Sequence, residues 1–143
     1  MLSSFSSLSF MRSIAIEEIH NKIYKYYGIS PTSLGIPEGV FDNSMTLIPC
    51  SEVAKWFETI EQLSNDADFM LILSKYVRLE RLGSLGEWFL SAHDLALTFR
   101  RFNYGMNCLQ SGAHFYGVQQ GKYVKWTYDS DSFFGRARFH DAT

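Results

Sequence analysis

Residues 111–130, "SGAHFYGVQQGKYVKWTYDS", decide the fold class, because here the side-chain period changes from that of a helix to that of a strand. Alternation runs on both sides of "QQGK", and Gly121 supplies the positive φ that a tight hairpin needs. With Gln120 and Gly121 as the loop, Gln119 faces Lys122 and Phe115 faces Trp126. One face then carries Ala113, Phe115, Gly117, Val124, Trp126 and Tyr128 and reads as a core face. The other carries His114, Tyr116, Val118, Tyr123, Lys125 and Thr127, an apolar rim with polar tips that suits solvent or a ligand pocket.

Working back from the hairpin, "GSLGEWFLSAHDLALTFRRF" (83–102) reads as a glycine-punctuated turn and a helix pair. Gly83 and Gly86 belong to a tight turn and a first helical turn, where backbones approach closely. Ser91 to Asp94 reads as a capping box, with serine as the cap. Leu95, Phe99, Phe102 and Met106 then share one helical face, which makes Phe99 a buried residue and Arg100 and Arg101 a solvated flank. "GSLG" lacks the lysine and spacing of a phosphate loop, and Ser84 lacks the strand and pattern of a nucleophile elbow.

Three earlier helices are expected. "IAIEEIHNKIYKYY" (14–27) places Ile16, Ile19 and Ile23 at helical spacing and ends at Gly28, a left-handed cap; His20 sits at the boundary of that stripe. The loop 28–49 holds all three prolines, with Ile29, Leu34, Ile36, Val40 and Phe41 to anchor it. "CSEVAKWFETIEQLSND" (50–66) carries Val53, Trp56, Phe57, Ile60 and Leu63 on one stripe, with Glu52 and Glu58 on the solvated side. "DADFMLILSKYVRLERLG" (66–83) reads as one helix, apolar all round at "FMLIL" and so the most buried.

The 143 residues suit one domain with a real core. A net charge of −2 offers no basic field for phosphate backbones. Cys50 and Cys108 lie far apart and form neither a metal-type pair nor a disulfide framework, which points to a reducing, cytoplasmic setting. No stretch reaches the ~20 apolar residues of a membrane span, and the serine-rich start is not a signal peptide. Residues 1–13 read as a flexible arm or edge strand; "DSDSFFGRARFHDAT" (129–143) suggests a further helix capped by Asp131 or Ser132, with Phe133, Phe134 and Phe139 wanting burial. The fold class expected is α+β: about four helices followed by an antiparallel hairpin, cut short at the C-terminal end.

The order of these signals resembles the arabinose-binding-type N-terminal domain of AraC-family transcription regulators, in the ornithine-utilisation-regulator branch. The resemblance rests on Gly28 ending the first helix, Ile48-Pro49, the Trp56-Phe57 stripe, the Asn65-Asp66 turn, and "LGSLGEWFLSAHDLALTFRRFNYGMNCL" before the paired strands; it covers roughly residues 20–130. It implies a regulatory domain over residues 14–143 that senses a small organic effector, or dimerises, to control a separate DNA-binding domain. A homodimer is the implied protein partner, and DNA is reached only through a helix-turn-helix that these residues do not carry. No catalysis, metal or cofactor is implied. A module that only holds a protein partner is the other reading. The residues themselves suggest an effector between the hairpin and the helix that starts near Leu95. His114, Tyr116, Lys125 and Thr127 would line one side, with Tyr104 or Arg100 opposite, where a carboxylate could meet Lys125 or Arg100.

Overall fold

The computed structural model describes residues 8–130 together with Ala137, His140 and Asp141. The helix expected after Asp131, with Phe133, Phe134 and Phe139, lies outside the described residues. Among the described residues the architecture is α+β, five α-helices and two antiparallel two-stranded sheets.

Strand β1 (Phe10–Arg12) pairs with β2 (Leu47–Pro49), placing buried Met11 opposite buried Ile48. Within the N-terminal segment, Phe10–Arg12 is therefore a strand. β1 also reaches the far side of the molecule. Its Met11 bridges Gln110, the Ser111 N–H donates to the Phe10 carbonyl at 2.9 Å, and the Arg12 Nε donates to the Cys108 carbonyl at 2.7 Å. One short strand thus ties the helical layer to the hairpin end.

Helix α1 (Glu17–Tyr27) ends at Gly28, whose φ of 66° is the left-handed cap its sequence announces. Helix α2 (Cys50–Ser64) buries Val53, Trp56, Phe57 and Ile60 against Ile19 and Ile23 of α1, while Leu63 stays exposed beyond the stripe. Asn65 closes α2 in the left-handed region, and Asp66 beside it accepts the Tyr27 hydroxyl at 2.8 Å. Burial, then the Asp66 carboxylate, push that phenol up to about 12. Ile29 and Leu34 anchor the proline-rich loop in the core, and Ile36, Val40 and Phe41 pack on its rim. The His20 ring packs tilted against Phe41, centres 4.2 Å apart, a boundary residue as expected.

The long helix over 66–83 does not form. Helix α3 is only Phe69–Leu73; a 3-10 turn (Ser74–Tyr76) follows, Val77 and Arg78 are extended, and a second 3-10 turn covers Leu79–Leu82. Only one side of α3 is buried, by Phe69, Met70 and Leu73, with Leu71 46% and Ile72 37% exposed. The break has a packing cause. The turn 79–82 folds onto helix α4 (Ser84–Leu90), so closely that a Cβ on Gly86 would lie 1.7 Å from the Leu79 carbonyl oxygen. A straight helix through residue 83 would carry Leu79 away from that seat.

Helix α5 (Leu95–Leu109) is capped by Asp94, not by Ser91: the Asp94 carboxylate accepts the Leu97 N–H at 2.7 Å. Ser91 instead ends α4. The Leu97 N–H, against some desolvation and with help from His93, holds the Asp94 carboxyl below the usual carboxylate range. A folded pKa below the unfolded one means that the cap stabilises above the ordinary carboxylate range and fades as pH falls through the lowered value. Melting temperatures of wild type and Asp94→Ala should therefore differ at neutral pH and converge in acid.

Arg101 is no solvated flank. Its Nη1 donates to Ser91 Oγ at 2.7 Å and to the Trp88 carbonyl, and the guanidinium lies 5.4 Å from the Trp88 ring centre. This one nitrogen satisfies a carbonyl at the C-terminal end of α4 and clips that end to α5. Arg101→Ala should cost about 1–2 kcal/mol in a denaturant melt. Exposed Arg100→Ala should cost little.

Candidate ligand-binding groove

Strands β3 (Ala113–Gln120) and β4 (Tyr123–Ser130) form the hairpin, joined by Gly121 and Lys122. The turn sits one residue later than expected. Gly121 has φ 61° and Lys122 has no positive φ, the pattern of a type II′ turn, which takes glycine at its first central position. Phe115 therefore faces Tyr128, and Trp126 faces Gly117. The pairing moves by two residues, so each side chain keeps its expected face.

The inner face packs on α5. Phe99 stacks on Trp126 with ring centres 4.2 Å apart, and Phe115 lies 5.6 Å from Trp126 and 5.0 Å from Tyr128. At the other side of α5, Phe102 stacks on Phe89 at 4.4 Å. The expected single face of α5 is thus divided between hairpin and α4, and Leu95 at its N-terminal end is 67% exposed. Beyond the Phe99–Trp126 stack, helix and hairpin enclose an open groove of about 580 Å³. Phe99, Phe115, Gly117, Val124 and Trp126 make its apolar wall; Arg100, Asn103 and Gln119 bring polar groups to it.

Of the six residues expected to line a site here, Arg100 alone does. His114, Tyr116, Lys125 and Thr127 alternate onto the outer face of the hairpin, away from α5. They are neighbours there: Tyr116 is opposite Thr127, and its ring lies 6.3 Å from that of His114. Tyr104 is 75% exposed and outside the groove. The alternation makes the aromatic face a core face; in the structure that face is turned to α5 and leaves this groove open. Gly117 was the signal that could have found the groove. A glycine in the middle of a core face leaves a gap, and Gln119 at its end is polar.

A polar cluster closes the base of the hairpin. The Tyr128 hydroxyl donates to the Asp141 carboxylate and accepts the Gln110 Nε2 at 3.1 Å; burial, then Asp141, push the phenol well above its ordinary range. His140, 3% exposed, lies 2.8 Å from Glu61 Oε2 and 4.2 Å from the Phe69 ring centre. These contacts fasten β4 and Asp141 to α2, α3 and α5, and so fix the hairpin's root. Among the described residues no group of His, Cys, Asp and Glu could hold a metal ion, and no helix is long and apolar enough to cross a membrane. No protein-family model matches the chain, and no curated protein is similar enough to count as a relative.

Proposed function

We propose that the chain is the regulatory domain of an AraC-type transcription regulator, one that senses a small organic effector in the groove between α5 and the hairpin. The observation that carries this reading is the groove itself. An apolar, aromatic-walled concavity of about 580 Å³ with a few polar groups at its edge has the size and lining of small-molecule sites. The order of sequence signals, from the Gly28 cap to the hairpin, supports the family. Occupancy would brace α5 against the hairpin, and α5 is tied through β1 to the helical layer. The effector would thereby bias the shape of the whole domain. The reading includes no catalysis.

The hairpin's outer face favours a second reading, a dimerisation module without a small ligand. Tyr116, Val118 and Tyr123 are 50%, 53% and 68% exposed there, a patch that a protein partner would cover.

Native mass spectrometry of the protein recovered from its source organism separates the two. The sensing reading expects a bound small organic molecule that Gly117→Leu abolishes. The dimerisation reading expects a doubled mass that Val118→Asp abolishes, with no added ligand mass.

A further inference from the structure

Gly117 lies in mid-strand, directly opposite Trp126. Strand interiors disfavour glycine, and one found there often marks a place where a ligand or another backbone comes close. Nothing within the described chain requires it. Its backbone has no positive φ, and a Cβ built on it would meet Trp126 at 3.7 Å and Val124 at 4.0 Å, ordinary contact distances. What the missing side chain leaves is open space along the wall formed by Phe99, Phe115 and Trp126.

The charge at this wall is one-sided. Arg100 is the ionised group lining the groove. The nearest acid in sequence, Asp94, lies outside the groove lining; its carboxylate accepts the Leu97 N–H at 2.7 Å and lies 3.0 Å from His93, and Arg100 is the smallest of the influences that lower its pKa. The guanidinium is thus the group suited to a ligand's anion, and its planar fork matches a carboxylate with two parallel hydrogen bonds. Aromatic walls favour a flat aromatic body, through offset and edge contacts that an alkyl chain cannot make.

We infer, taking the groove as the ligand site proposed above, that its ligand is a planar aromatic carboxylate. The ring system seats in the space at Gly117 beside Trp126 and Phe115. The carboxylate binds Arg100, with Asn103 and Gln119 placed for further hydrogen bonds.

Calorimetric titration of the 143-residue chain tests this with three probes: naphthalene-2-carboxylate, its neutral alcohol naphthalene-2-methanol, and decanoate. The carboxylate should bind one to one, roughly tenfold or more tighter than either comparison probe, as a charge-assisted hydrogen-bonded pair allows. Arg100→Gln should bring it down to the level of the alcohol and leave the alcohol unchanged. Gly117→Leu should abolish binding of both aromatic probes while circular dichroism and melting temperature stay those of wild type. Gly117→Ala, which adds one carbon at a contact distance the site already tolerates, should weaken both without risk to the hairpin. Decanoate binding tighter than the naphthoate, and blocked by Gly117→Leu, would overturn the ligand class and leave the groove as a sensor site. Naphthoate binding insensitive to both Gly117 variants would overturn the site as well. So would a wild-type dimer, seen by sedimentation, that Gly117→Leu dissociates, since the occupant would then be a second copy of the chain.

Discussion

Gly86→Ala is expected to destabilise the fold by ~3 kcal/mol or more. On helix propensity alone alanine would gain up to ~1 kcal/mol over glycine in α4. Sterics decide otherwise. The new Cβ would stand 1.7 Å from the Leu79 carbonyl oxygen and 2.7 Å from its carbonyl carbon, both backbone atoms. No side-chain rotation can relieve that contact, so the 79–82 turn must lift off α4. Urea unfolding of Gly86→Ala beside Ser84→Ala checks it. The exposed Ser84 position should change little, and a stable Gly86→Ala would mean that α4 does not sit on the turn.

Phe69→Ala should cost ~3–5 kcal/mol, measured by the same method. Phe69 is fully buried, edge-on to Phe57 at 6.3 Å and against the His140 ring at 4.2 Å. Truncation leaves a cavity where α2, α3 and His140 meet, and a five-residue helix cannot close over it by itself. Phe69→Leu, which keeps most of the volume, should cost less than half as much. Similar losses for both would mean that the ring's shape, not its bulk, organises this corner.

What was legible in the sequence was what short-range physics controls. The glycine after "KIYKYY" caps α1 in the left-handed region because few other residues sit there without strain. The alternation in 113–128 sorts the hairpin faces correctly even though it predicts the turn one residue early. A shift of two in the pairing preserves parity, so the faces survived the wrong register. What failed depended on partners distant in sequence. "FMLILSKYVRLERL" has the pattern of one continuous helix, but the chain turns extended at Val77 and Arg78 and brings Leu79 back onto Gly86. Arg101 looked like a surface charge because Trp88 and Ser91, its acceptors, belong to the preceding helix. At the groove, the alternation turns Trp126 and Phe115 inward, but their distance from α5 is set by the Phe99 stack, which no local pattern encodes.

The hairpin is anchored at one end only. Its root is held by Ala113, 1% exposed, and by the Tyr128–Asp141 hydrogen bond, whereas towards its tip Gln119 and Val124 are exposed and face Leu95 and Ala96 across the opening. A buried root and an open tip leave a cleft between the hairpin and α5.

The most direct test is a map of amide chemical shifts of the isotopically labelled chain during titration with naphthalene-2-carboxylate. Saturable changes should concentrate at Leu95–Asn103, Phe115, Gly117, Gln119, Val124 and Trp126, and vanish in Gly117→Leu. Changes centred instead on Tyr116, Val118, Lys125 and Thr127, or spread without a focus, would contradict the placement of the ligand site between α5 and the hairpin.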